Sequence, residues 1–277
     1  MFRSARNGLT LIEVIVIIAI IFVAIGLFLP AVRSVREPAN RSSCQNNLKQ
    51  LMIALHNYHD HVPDSPDGLS SNQSTESSTV GFPKGCIGAG KTPEERLSWI
   101  VAILPYLEQD PLYRTIDLEK GYAVNLPAVQ ARIRCLLCPS WKQKDVVDGL
   151  TNYVAIFGIG PDAAWQPAGV PGNGFMGYDR KTSMRMVADG KGTANMIALM
   201  ETQFDIGPWA RGGFSTLRGF DPADVPVCGE GRPFGAHTNG MNVGMADGSV
   251  RFISSSINPN KLAAAITIAG GEPVDLD

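Results

Sequence analysis

Residues Leu9–Leu29 read LTLIEVIVIIAIIFVAIGLFL, an unbroken apolar run whose one charge is Glu13. At a rise of about 1.5 Å per residue, a helix of this length reaches roughly 30 Å, the thickness of a bilayer's hydrocarbon core. The run therefore predicts a transmembrane helix over 9–30. The residues before it carry Arg3 and Arg6 and no acid, a pattern that holds the N-terminus inside and sends the body of the chain out. A cleavable secretory signal shares the basic flank but has an apolar core of only about 7–15 residues, followed by small residues at the cut. Here Pro30-Ala31 leads into the polar Arg33-Ser34-Val35-Arg36-Glu37, which reads as the continuation of a helical stem.

The remaining composition bounds what hangs from that helix. The chain has 277 residues, with 24 Lys plus Arg against 26 Asp plus Glu and 44% hydrophobic residues. Near-neutral charge excludes a basic nucleic-acid binder, so no nucleic-acid partner is expected, and the hydrophobic share excludes a disordered tail. No second apolar stretch approaches the first, which leaves one span and one exported body. With 29 Gly and 19 Pro, that body should be rich in loops. Five Cys are too few for a disulfide-built scaffold.

Beyond the run, Leu48, Leu51, Met52, Leu55 and His59 fall on one helical face, while Asn46, Lys49, Gln50 and Asn57 fall elsewhere. This spacing predicts an amphipathic stem over 31–61 resting on a head over 62–277, with Pro30 and Pro38 bending or loosening it. Residues 62–95 are rich in Pro, Gly, Ser and Thr and read as a long surface loop. Ser98–Gln109 predicts a helix capped by Ser98 and bent at Pro105. Thr151–Ile159 and Asn195–Met200 read as strands. Met241–Ala246 and Ser249–Ile253 flank Asp247-Gly248, which predicts a hairpin with a two-residue type I′ turn. Asn258–Ala269 then predicts a closing helix ended by Gly270. The fold class is α+β, a long N-terminal helix packed on an antiparallel sheet.

Enzyme chemistry finds little support. There is no G-x-S-x-G elbow and no phosphate-cradling GK[ST] loop. His56, His59, His61 and Asp60 lack zinc-type spacing and read as packing or capping residues at the end of the stem. The acids Asp60, Asp64, Asp67, Asp189 and Asp205 are scattered, unlike a calcium loop. Cys135-Leu136-Leu137-Cys138 is a single CxxC without the second pair of a zinc ribbon. As a catalytic set, His237, Asp247 and Glu201 would have to converge at one end of the sheet, but Asp247 already has its role in the turn, and His237 reads as the pin of the loop before the hairpin. No catalytic residue, metal or cofactor is expected.

Glu13 does call for a functional account, because an acid within the hydrocarbon costs about 2.5 kcal/mol or more unless partnered. One account is an interfacial acid that snorkels at the membrane edge. The other comes from its neighbours: Gly8-Leu9-Thr10-Leu11-Ile12-Glu13 resembles the processing site of type IV prepilins and type II secretion pseudopilins. That resemblance implies a leader over 1–8, cleavage after Gly8 by a prepilin peptidase, and methylation of the new amine on Leu9, where Phe is the usual occupant. It also implies that Glu13 meets the terminal amine of a neighbouring subunit, an assembly role, in a single-pass protein of the inner membrane with its head periplasmic or extracellular.

Further segments resemble the large bacterial family known as domain of unknown function 1559. They are Cys44-Gln45-Asn46-Asn47-Leu48-Lys49-Gln50, His56-Asn57-Tyr58-His59-Asp60, Leu104-Pro105-Tyr106-Leu107-Glu108-Gln109, Cys138-Pro139-Ser140, and a C-terminal signature of His237, nine residues, then Asp247-Gly248. Cys44 and Cys138 stand in these segments, so the resemblance implies a disulfide between them that ties stem to head. Cys86 with Cys228 is a second pairing, and Cys135 is left over. The expected function is structural: a pilin-like subunit or accessory of a type IV pilus, type II secretion system or related envelope filament, partnered by itself or other pilin-like subunits. The alternative is a membrane-tethered module that binds glycans or other solutes through its long loop and through Trp165 and Trp209, without polymerising.

Overall fold

The computed structural model describes residues 10–61, 80–141, 149–229, 231–269 and 276, without side-chain detail at 24 and 26–35. The leader, Gly8 and Leu9, most of the Ser/Gly-rich loop and Gly270 lie outside these residues. The chain divides into two compact units, 1–40 and 41–277.

One helix, α1 (Leu11–His61), opens the chain and runs unbroken through Pro30 and Pro38. It starts at a capping box. Glu13 Oε2 accepts from the Thr10 amide at 2.7 Å and from Thr10 Oγ1 at 2.8 Å, while Thr10 Oγ1 accepts from the Glu13 amide at 3.4 Å. The exchange satisfies donors that the first helical turn leaves without partners. In the first unit every side chain from 11 to 23, and Ile25, is exposed on all sides of the helix. The span expected over 9–30 falls partly outside the described side chains, and among the described residues no helix is long and apolar enough to cross a membrane.

In the second unit, Cys44, Leu48, Leu51, Met52, Ala54, Leu55 and Tyr58 of α1 are buried, and Asn46, Lys49 and Gln50 are exposed. This is the 3.6-residue face of an amphipathic helix against a core. Two short strands follow, β1 (Cys86–Ile87) and β2 (Leu97–Ser98), and then short helices α2 (Trp99–Ile103), α3 (Asp110–Tyr113) and α4 (Leu126–Val129). The main sheet is built from β3 (Tyr153–Ile159), β4 (Ile197–Glu201), β5 (Leu217–Phe220), β6 (Gly240–Met245) and β7 (Val250–Ser254), in the order β5-β3-β4-β6-β7. Helix α5 (Met184–Gly190) precedes β4, and α6 (Pro259–Ile266) closes the described chain.

Alternation along the strands sorts the core into two. Tyr153, Ala155 and Phe157 join Leu48, Leu51, Leu55 and Trp99 on one face of the sheet. Val154, Ile156, Met241, Val243 and Met245 join Leu262 and Ile266 of α6 on the other. Covering both faces explains why β3 reads as a continuous apolar run.

Four expectations need correction. The sheet is mixed, since β3 pairs antiparallel with β4 but parallel with β5. The long connection after β4 carries the chain across to the far edge of the sheet, so β5 can enter in the same direction as β3. The hairpin turn is not type I′, because Asp247 does not take a positive φ. Gly248 does, at +83°, its amide donates to the Met245 carbonyl at 2.9 Å, and the Met245 amide donates to Ser249 at 2.8 Å. That is a three-residue loop, a type I turn followed by a glycine bulge.

Residues 80–95 are not an open loop either. Phe82 and Cys86 are fully buried, and the amides of Phe82, Gly85 and Cys86 donate to the carbonyls of Thr182, Gly177 and Tyr178. An irregular segment can be buried when another irregular segment satisfies its backbone. Finally, α6 stops at Ile266, because Thr267 turns extended and the Ile268 amide donates to Asn173 at 2.9 Å. The cap at Ser98 is as expected, with its Oγ accepting from the Ile100 amide at 3.2 Å, and α2 gives way to a 3-10 turn at Leu104–Leu107 around Pro105.

Candidate functional site

The C-terminal signature occupies the two ends of β6, and both ends meet α1. Before the strand, the His237 and Gly240 backbones exchange hydrogen bonds of 3.2 Å, and the His237 side chain is almost wholly buried. After it, the carbonyl of Gly248 accepts from Lys49 Nζ at 2.7 Å, and a Cβ on Gly248 would lie 3.4 Å from His56 Nε2. Between the ends, Gln45 Nε2 donates to Asn242 Oδ1 at 3.1 Å, and Gly244 leaves the space that Met52 fills. Six strand residues at about 3.3 Å cover nearly the same length as three helical turns, about 16–20 Å. The nine-residue spacing of the signature is thus the length of a strand pinned along the stem.

Around His237 four reactive side chains converge. Cys44 comes from α1, Cys138 from the segment after the turn at Arg134–Leu136, Glu201 from the end of β4, and His237 from the loop before β6. Their ligating atoms all lie within 4.8 Å of one another. Cys44 Sγ and Cys138 Sγ are 2.7 Å apart and both cysteines are free thiols. His237 Nε2 stands 3.9 Å from Cys138 Sγ and 3.5 Å from Glu201 Oε2. Glu201 is fully buried, and Asn242 holds its carboxylate twice, through the backbone amide at 2.7 Å and Nδ2 at 3.2 Å. The segment carrying Cys138 is fixed by its amide, which donates to Asn152 Oδ1 at 2.9 Å.

The two thiols differ in acidity. The hydrogen bond from Cys44 is the main cause that lowers the Cys138 thiol, with burial opposing it. The same hydrogen bond, and then burial, push Cys44 far up. Tyr153 is also pushed well above its ordinary range, chiefly by burial, and its hydroxyl accepts from Asn47 Nδ2 at 3.1 Å.

Other sequence candidates disperse. His237 and Asp247 lie at opposite ends of β6. Cys86 sits near the Pro93 carbonyl and Cys228 in the core beneath α6, so the second pairing is not assembled. His59 Nε2 accepts from the Met184 amide at 3.2 Å, and His61 Nδ1 contacts the Asn57 carbonyl at 2.7 Å, roles in packing and capping. Trp209 is not an exposed aromatic: it is fully buried and Nε1 donates to Ala131 at 2.8 Å. Trp165 remains 59% exposed. Gly8 and Leu9 lie outside the described residues. The Thr10-x-x-Glu13 capping box, absent from the expectations above, is a readable sequence motif, whereas no local spacing joins Cys44 and Cys138 to Glu201 and His237.

A mixed-sheet α+β head clasped to a long helix, with the signature strand as its clasp, defines the class of protein. Residues 33–224 and 211–260 match the family model described as Protein of unknown function (DUF1559), and the chain belongs to that family. No curated protein and no solved structure matches it.

Proposed function

We propose that the protein is a pilin-like structural subunit, processed after Gly8 and assembled with itself or related subunits through its N-terminal helix. The observation that carries this reading is the all-round exposure of the apolar side chains from Leu11 to Val23 and of Ile25. Water does not tolerate so large a continuous apolar surface, so the helix needs a bilayer or a bundle of its own kind to cover it. Glu13 selects the bundle. Among the described residues its carboxylate is held by neutral Thr10 donors, and a cation from a neighbouring subunit's freed amine compensates it in an apolar surrounding.

The test is Glu13→Ala in the native host, with fibre fractions and membranes assayed separately. Loss from sheared or cross-linked assemblies with membrane insertion retained supports the proposal. Unchanged assembly overturns the role of Glu13.

A further inference from the structure

We infer that Cys44, Cys138, Glu201 and His237 form a buried four-ligand site for a thiophilic divalent metal ion, with zinc the ion that suits the set best. This goes beyond the filament reading and does not depend on it. Two sulfurs, one imidazole nitrogen and one carboxylate oxygen are a complete tetrahedral donor set for zinc, with no position left open, as in sites that hold a fold together.

The geometry supports a cage. Bonds of about 2.3 Å to sulfur and 2.0–2.1 Å to nitrogen and oxygen give tetrahedral edges of about 3.4–3.8 Å. The Nε2–Oε2 separation of 3.5 Å and the Sγ–Nε2 separation of 3.9 Å are close to those edges. The 3.5 Å is also longer than the roughly 2.7–2.9 Å of a charge-assisted hydrogen bond. The sulfurs, in contact at 2.7 Å, have to separate by about 1 Å to admit the ion.

The surroundings support it as well. Glu201 and the His237 side chain are almost wholly out of water, where charge is costly unless compensated. A Cys44–Cys138 disulfide would be neutral and would use neither of them, whereas a divalent cation uses all four groups. Asn242 orients the carboxylate and is itself held by Gln45, an arrangement of the kind that aims ligands at a metal. The four ligands come from the stem, the Cys138 segment, the sheet and the signature loop, so one ion would fasten four separate parts of the head.

The experiment uses full-length protein purified in detergent without chelators. Metal content is measured by plasma mass spectrometry, and Cys44 and Cys138 are mapped by non-reducing peptide mass spectrometry. The expected result is about one zinc per chain with both cysteines reduced. Exchange into cobalt should give thiolate-to-metal charge transfer and the strong visible bands of a tetrahedral site, a readout that needs no variant. His237→Ala and Glu201→Gln should each weaken zinc retention by roughly 10–100-fold or more. A metal-free protein, with the cysteines either free or joined as a disulfide, overturns the site. So does cobalt bound without a sulfur signature.

Discussion

Lys49 on α1 donates its ammonium to the carbonyl of Gly248, the last residue of the signature, at 2.7 Å. The contact joins positions 199 residues apart and fixes the end of β6 against the stem. The close approach of strand to helix rests on Gly244, where a Cβ would come within 3.0 Å of Met52 Cγ and Sδ. Gly244→Val should destabilise the head by about 1–3 kcal/mol through overpacking, while Lys49→Met, at an exposed position, should cost about 1 kcal/mol or less. Urea unfolding of the detergent-solubilised protein distinguishes them. Equal midpoints would show that the strand does not bear on the helix there.

Arg180 organises the loops between β3 and α5. Its Nη1 donates to Ala163 and Gln166 at 3.0 and 2.9 Å, and its Nη2 to Phe157, Gly174 and Met176 at 3.2, 3.1 and 3.0 Å. Burial pushes the guanidinium down to about 10, still charged at neutral pH. Arg180→Met should cost about 3 kcal/mol or more, because it orphans several buried carbonyls. Arg180→Lys should recover only part of this, since a point charge cannot reproduce the fork. Full recovery by lysine would show that charge alone suffices.

Acid should loosen the contact between stem and hairpin. Burial holds His56 below its ordinary value of 6.5, its ring lying edge-on to Phe82 with centroids 5.7 Å apart. The unfolded chain then takes up the proton first, so stability falls as pH drops through about 6.5 and stops falling once the folded histidine also titrates. Thermal midpoints measured between about pH 7.5 and 5.5 should fall more steeply for the native protein than for His56→Gln. Parallel profiles would remove His56 from the account.

Removing the Ser98 hydroxyl should be costly for its size. It donates to the Trp209 carbonyl at 2.6 Å and accepts from the Ile100 amide at 3.2 Å, fully buried. Ser98→Ala loses a helix cap and leaves a buried carbonyl unpaired, about 1–3 kcal/mol together. A midpoint unchanged from the native protein would contradict that.

What the sequence made legible was periodic or punctuated: the buried stripe from Cys44 to Tyr58, the Ser98 cap, β3, β4 and the hairpin about Asp247-Gly248. Each is decided by neighbours within a few positions. What it concealed depends on partners far away in the chain. Residues 80–95 look like a loop because their backbone partners are at 177–182, and β5 carries only four residues in a parallel register set by β3. Trp209 reads as surface until Ala131 is found beside it. Cys44 and Cys138 could be paired through the family resemblance, but Glu201 and His237 joined them only when the sheet brought β4 and β6 together.

The central claim is that this chain is matured at Gly8 to free a terminus that neutralises Glu13 of another copy. Mass spectrometry of the N-terminus of the protein isolated from native membranes tests it most directly. The account predicts a chain that begins at N-methylated Leu9. A chain that still begins at Met1, or one cut beyond Leu29 with the apolar helix gone, would contradict it.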